Sequence, residues 1–285
     1  MKKSLLFREL AMKNIDLFCC PVCGEAFDIR ELTFVCGNKH TFDISKKGYV
    51  NFVLNYKVAS YGKALFMARK NVAEAGFFEP LHEMISGLIH KYKNNGYILD
   101  AGCGEGSALN SITHRFQNFC GIGIDISKDA IMQTEQSEKS IFFVGDIAKL
   151  PIRSSSIDIL LNILTSAHYS EFSRLLTNGI LIKVIPNAAY LKEIRELYYA
   201  NSNRKNYDNE TTVLHFRKNF NCIEEIDCAY SFAVNTETLK DILSMTPLLW
   251  NYDDKSLGLT ESNITHITCD FKILVGISRI ADKLM

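Results

Sequence analysis

What this chain has little of narrows it before any motif is read. Net charge is absent: 32 Lys and Arg balance 32 Asp and Glu. That excludes a uniformly cationic surface coating nucleic acid without discrimination, although local binding stays open. The first 17 residues mix Lys2, Lys3, Arg8, Glu9 and Lys13 among their apolar positions, which suits neither a secretory leader nor a membrane span. Internal repeats and low-complexity tracts are missing. Nine cysteines are spread over 285 residues rather than packed into a short secreted chain. A disulfide framework is therefore not expected, and the cytoplasm is the default compartment. What remains is ordinary globular composition, 47% hydrophobic and 22% charged, on a chain long enough for a full core with a small appendage.

Four residues stand out against that background: Cys20, Cys23, Cys36 and His40, spaced C-x2-C-x12-C-x3-H. Structural zinc takes four tetrahedral thiolate or imidazole ligands, and two close pairs joined by a short hairpin supply them. Pro21 stiffens the first knuckle, and Gly24 and Gly37 follow cysteines where tight turns are needed. Phe27–Val35 is expected to form a β-hairpin too small to fold without the metal. Cys19 competes with Cys20, but the two-residue gap to Cys23 favours Cys20; the bland alternative is a set of reduced, packed cysteines. From Asn38 to Lys70, seven cations (Lys39, Lys46, Lys47, Lys57, Lys63, Arg69, Lys70) meet one anion, Asp43, a surplus of six. Interleaved with Phe42, Tyr49, Phe52, Tyr56 and Tyr61, the stretch has the composition of a surface that holds phosphates and unstacked bases. Its bland alternative is a solvated linker with a few core aromatics.

Downstream the rhythm changes. A helical pattern over 77–92 puts Leu81, Ile85, Leu88 and Ile89 on one face. Strands are expected at 97–100, 119–125, 141–144, 157–164 and 179–185. Helices are expected near 105–115, from Ser127 as N-cap, at 169–176 and at 188–199. A strand at 222–234, a helix at 236–244 and a strand at 266–277 follow. This alternation predicts an α/β fold, a doubly wound Rossmann-like sheet with an antiparallel last strand, preceded by the small zinc-binding hairpin domain. The expected division is residues 1–50, a basic linker over 51–75, and 76–285.

Between the first of these strands and its helix runs Asp100-Ala101-Gly102-Cys103-Gly104-Glu105-Gly106-Ser107. A dinucleotide fingerprint would place its third glycine at 107; here the glycines fall at 102, 104 and 106. This variant resembles motif I of the class I S-adenosylmethionine methyltransferases. On that resemblance Asp100 orients the cofactor's amino group. Asp125, ending the second strand, accepts the ribose hydroxyls, and Asp146 after the third strand faces the adenine amino group. Tight-turn glycines and capping aspartates are the bland alternative, and Cys103 reads as a small loop residue.

Taken in order, the knuckle, the basic segment and this core resemble the bacterial 23S rRNA guanine-N1 methyltransferases. The marks are C-P-V-C with Cys36 and His40, the runs at His40–Phe52 and Ala68–Leu81, L-D-A-G-C-G-E-G at Leu99–Gly106, and M-T-P-L-L-W at Met245–Trp250. The resemblance implies zinc at Cys20, Cys23, Cys36 and His40, and cofactor contacts at Gly106, Ser107, Phe78 and Tyr190. Met245 and Trp250 are implied to wall the base or, equally, to be core. Relatives tend to carry a proline-containing segment after strand four, where this chain reads Asn162-Ile163-Leu164-Thr165-Ser166-Ala167-His168. That segment faces the target base in this superfamily, which places Thr165, Ser166 and His168 near it. The loop before strand five shows Thr177-Asn178-Gly179 in place of Lys-Pro-Gly-Gly. The implied partner is a 23S rRNA hairpin, with a homodimer sharing the RNA and no membrane. A small-molecule methyltransferase and a catalytically silent rRNA-binding factor are the competing readings.

Overall fold

The computed structural model describes residues 2–54, 62–176, 178–199, 207–249 and 264–279; Tyr56, Lys57, Tyr61, Thr177 and Trp250 lie outside them. Helix α1 (Lys3–Lys13) opens the chain, and a hairpin of β1 (Phe27–Arg30) and β2 (Thr33–Cys36) follows. β3 (Thr41–Asp43) adds to β2, completing a three-stranded antiparallel sheet. The alternation of buried and exposed residues in β1 and β3 is what a sheet covered on one face demands.

The second sheet has eight strands. In chain order these are β4 (Val50–Asn51), β5 (Gly96–Ala101), β6 (Phe119–Asp125), β7 (Ser140–Val144), β8 (Ile159–Ile163), β9 (Ile180–Pro186), β10 (Phe220–Ala233) and β11 (His266–Ser278). Their spatial order is β10-β11-β9-β8-β5-β6-β7-β4. The strands from β9 across to β4 pair in parallel, whereas β11 runs antiparallel between β9 and β10, as the sequence led one to expect. Every residue of β7 and β8 is buried, because helices cover both faces of a parallel sheet. The helices are α2 (Lys63–Glu74), α3 (Glu79–Tyr92), α4 (Ser107–His114), α5 (Lys128–Ile131), α6 (Tyr169–Leu175), α7 (Lys192–Tyr199), α8 (Glu210–Asn219) and α9 (Thr236–Met245). In α3, Leu81, Ile85, Leu88 and Ile89 all turn inward as their spacing requires. The Ser127 hydroxyl accepts the Ala130 N–H and caps α5.

Two sheets share one core at the β7 edge. Phe143 on β7 meets Phe7 of α1 at 5.3 Å, Phe18 at 5.0 Å and Phe52 at 5.3 Å between ring centroids. Val50 and Asn51 pair with Phe143 and Val144, so the chain leaving the small sheet becomes the last strand of the large one. The stretch expected as a basic linker, 51–75, thus begins within β4 and contains helix α2. Of the aromatics in the cationic Asn38–Lys70 stretch, Phe42, Tyr49 and Phe52 are buried, so they pack the core and present no faces for base stacking.

Strand β5 lies between β8 and β6, where successive crossovers change direction, and the loop leaving its carboxyl end is where such sheets bind ligands.

Candidate functional site

At the N-terminal end, Cys20, Cys23, Cys36 and His40 come together with all four donor atoms within 4.8 Å of one another. The Sγ atoms of Cys23 and Cys36 are 3.7 Å apart, and His40 Nδ1 lies 3.7 Å from Cys20 Sγ and 3.3 Å from Cys36 Sγ. Thiolates about 2.3 Å from a tetrahedral ion are separated by ~3.8 Å, whereas a disulfide would need ~2.05 Å. The donor set and its spacing therefore fit zinc. Cys19 is not in the cluster; its N–H donates to Pro151 O instead. Gly24 takes the left-handed conformation expected of it, φ +79°, but at the second knuckle Lys39 does so in place of Gly37, φ +64°.

The glycine loop after β5 is shaped by positive φ at Gly102 (+87°), Gly104 (+56°) and Gly106 (+81°). A Cβ at Gly106 would sit 2.6 Å from the Phe142 ring, and one at Gly102 would sit 2.7 Å from Thr165 Cγ2. Asp125 clamps the loop: its Oδ2 accepts Gly104 N–H at 2.9 Å and its Oδ1 accepts Ser127 N–H at 2.8 Å. Each oxygen keeps a second lone pair for a ligand hydroxyl. Asp100 is 1% exposed and its Oδ1 has no hydrogen-bond partner. Burial pushes its pKa up to about 7, with Arg69 opposing and Asp125 and Glu105 reinforcing. A buried carboxylate without a donor is costly unless something cationic completes it. This orphan is what the ammonium group of S-adenosylmethionine would satisfy, so these residues fit that cofactor.

Sequence reasoning missed two further members of this site. Glu105, inside the glycine loop, is buried and pairs with Arg69 of α2 at 3.2 Å, and burial raises its pKa against the pull of that cation. Arg69 also lies over the Phe78 ring, 5.9 Å from its centroid. A cation counted toward a phosphate-binding stripe is instead the neutralising charge among three carboxylates. Lys70 is similarly engaged, with Glu135 at 2.8 Å and Glu74 at 3.6 Å. The signal was present in the apolar spacing of 63–74, which buries Phe66, Ala68 and Val72.

Phe78 and Tyr190 flank the same ring, Phe271, at 6.4 and 4.9 Å, which brings two distant expected contacts onto one wall. Ser107 is the first residue of α4, beside Gly106. Asp146 is exposed at the end of β7, where its Oδ1 accepts Ala148 N–H at 2.9 Å in a local turn, and Gly145 N–H donates to Asp125 O. Thr165 packs on Gly102; Ser166 and His168 are exposed beyond it, with His168 Nδ1 3.3 Å from Ser170 Oγ. Burial raises the Cys103 thiol well above its ordinary range, which keeps it protonated and suits its place as a loop filler. Met245 packs against the main core.

Comparison with known proteins follows the same two-part layout. Residues 18–54 match the family described as RlmA, N-terminal, a zinc ribbon, and residues 98–179 match a methyltransferase-domain family. YxjB of Bacillus subtilis strain 168, named as a 23S rRNA (guanine-N1)-methyltransferase, is 37% identical over 92% of this chain and 98% of its own length. The 23S rRNA (guanine(748)-N1)-methyltransferase of Streptomyces fradiae is 25% identical over 84% of this chain and 88% of its own. Among solved structures, a SAM-dependent methyltransferase from Thiobacillus denitrificans in complex with S-adenosyl-L-homocysteine is 14% identical. It covers 70% of this chain and 90% of its own, with a TM-score of 0.45. With a three-cysteine, one-histidine ribbon, a motif I loop built as the chemistry requires, and a relative of 37% identity matched along nearly its whole length, this chain belongs to the family of 23S rRNA (guanine-N1)-methyltransferases.

Proposed function

We propose that the protein transfers a methyl group from S-adenosylmethionine to N1 of a guanine in 23S rRNA. The observation that carries the reading is the orphaned Asp100 carboxylate among three left-handed glycines, a cationic-ligand site left intact in a family whose members are named for this reaction. That intact site speaks against a silent binding factor. The zinc ribbon, which a small acceptor does not need, speaks against a small-molecule enzyme.

Within this reading Asp100 holds the donor's amino group, Gly102, Gly104, Gly106 and Ser107 let the backbone approach it, and Asp125 takes the ribose. Asp146 lies toward the adenine, and Phe78 and Tyr190 wall the pocket. Bound there, the cofactor supplies a sulfonium methyl that is open to in-line displacement. The chain's task is then alignment and exclusion of water. Guanine N1 must lose its proton as the methyl arrives, and the base must be looped out to reach the pocket. Thr165, Ser166 and His168 border the space where it would lie. Residues 1–50 would grip RNA and 76–285 would carry the chemistry, with 51–75 between them.

Purified protein incubated with large-subunit rRNA transcript and labelled donor tests this directly. Nucleoside mass spectrometry should show one 1-methylguanosine per transcript; label absent from guanosine refutes it. A hairpin loop as target and two copies sharing it rest on the resemblance, and light scattering of the protein with and without a hairpin oligonucleotide tests them. Among the described residues no helix is long and apolar enough to cross a membrane.

A further inference from the structure

The proposed reaction uses the carboxyl ends of β5 and β8 but gives no work to two polar side chains buried beside them. Lys183, 3% exposed, interrupts the apolar run of β9, and Asn162, fully buried, interrupts that of β8; the two are register partners across the sheet. Lys183 Nζ donates to Asn162 Oδ1 at 2.5 Å and to Thr165 O at 3.1 Å. Asn162 Nδ2 donates to Ser166 O at 2.9 Å and to Ala101 O at 3.1 Å. Among the described residues no carboxylate pairs with Lys183, and burial lowers its pKa to about 8. Two neutral acceptors do not offset a buried charge as a counter-ion would, so stability alone does not account for a lysine at this position.

The acceptors supply a reason. Ala101 leads directly into Gly102 of the donor loop. Thr165 and Ser166 form the loop expected to border the target base. Leu164, between them and β8, is held at φ +54°, a conformation a branched residue keeps only when its surroundings enforce it. One amide therefore ties the donor loop to the acceptor loop, and one amine locks that amide and the acceptor loop together. The hydrogen-bonded pair braces Thr165-Ser166 from below.

We propose that Lys183 is a positioning residue which, through Asn162, fixes the Leu164–Ser166 loop against the Ala101–Gly102 backbone and so sets the spacing between methyl donor and acceptor base. The inference rests on the reaction proposed above. It touches neither cofactor nor RNA directly, so its signature is a loss in kcat without loss of binding.

Lys183→Met in the full-length, zinc-loaded protein tests it. Donor dissociation constant, zinc content and KM for the transcript should stay within about threefold of the wild type. Single-turnover methylation should fall at least tenfold, and amide exchange in residues 164–168 should quicken at least tenfold. Exchange is read without RNA, so it judges the tether even if the wild type leaves rRNA unmethylated, a result that would count against the proposed reaction instead. Unchanged exchange, or faster exchange with kcat within twofold of the wild type, overturns the proposal. If Lys183→Met does not fold, Asn162→Leu/Lys183→Met removes both polar partners together, which spares the fold an unpaired group. The same readouts on that variant decide the question by the same limits.

Discussion

Replacing Asp100 by asparagine should stabilise the unliganded protein while disabling its donor site. Asp100 is buried, and its pKa rises from an ordinary 3.8 to about 7. Between those values the folded chain holds a proton that the unfolded chain gives up. The stability this proton contributes is fully present below the unfolded value and is lost as pH rises through about 7. At ~1.36 kcal/mol per unit, a shift of about three units amounts to about 4 kcal/mol at pH 8 and about 1.5 kcal/mol at pH 5. Asparagine has no proton to lose, so Asp100→Asn should escape that loss. With a urea slope of about 3 kcal/mol/M, its midpoint should exceed that of the wild type by more than about 1 M at pH 8 and by about 0.5 M at pH 5. Calorimetric titration with S-adenosylmethionine should show the reverse order. Wild-type affinity should tighten from pH 6 to pH 8 as the carboxylate ionises; the variant should be about 10- to 100-fold weaker and insensitive to pH, having lost a charge-assisted hydrogen bond. A variant that is no more stable than the wild type at pH 8, or whose advantage is the same at both pH values, would refute the role given to the buried carboxylate.

Other perturbations separate the parts. Gly106→Ala combines a left-handed backbone with a Cβ 2.6 Å from the Phe142 ring, so it should cost about 2–4 kcal/mol and abolish donor binding in calorimetry. Gly76→Ala, at φ +87° with open space around it, should cost only about 1–2 kcal/mol in a thermal melt and leave binding intact. Phe143→Ala removes the ring on which Phe7, Phe18 and Phe52 converge; about 3–5 kcal/mol should be lost, with protease cutting between the two sheets ahead of the large sheet itself. Cys23→Ser should lower bound zinc below one equivalent by atomic absorption, whereas Cys19→Ser should retain a full equivalent.

Much of this architecture could be read from local pattern. The expected 119–125 strand is β6 residue for residue, and β5, β7, β9 and β11 differ from expectation only by residues at their ends. Apolar runs bounded by turns and a metal-ligand spacing are properties of short segments, and they survive without knowledge of tertiary contacts. The segment over 51–75 was harder because its meaning is tertiary. Its cations suggest a phosphate-binding surface until Arg69 is seen beside Glu105 and Lys70 beside Glu135. Helices α1 and α8 escaped notice because each buries only two or three residues against its neighbours. Lys183 and Asn162 did leave a trace, a single polar residue in each of two apolar strands. Only pairing across the sheet reveals that the two interruptions meet.

The joining of ribbon to sheet has a mechanical consequence for the site. A three-stranded sheet of 3–4-residue strands cannot bury enough apolar surface to hold itself, so the metal and the phenylalanine cluster must do so together. That cluster is anchored on Phe143, and the exit strand of the ribbon pairs with Val144, which also accepts Phe52 N–H at 2.9 Å. Val144 stands two residues before Asp146 and pairs with Asp125 on the neighbouring strand. The ribbon is therefore bonded beside the two strand ends that carry Asp125 and Asp146, the carboxylates proposed for ribose and adenine. If the ribbon grips RNA as proposed, its hydrogen-bonded seam with β7 would hold that RNA at one angle to the donor loop, whereas a freely hinged ribbon would allow many. In-line transfer depends on such alignment.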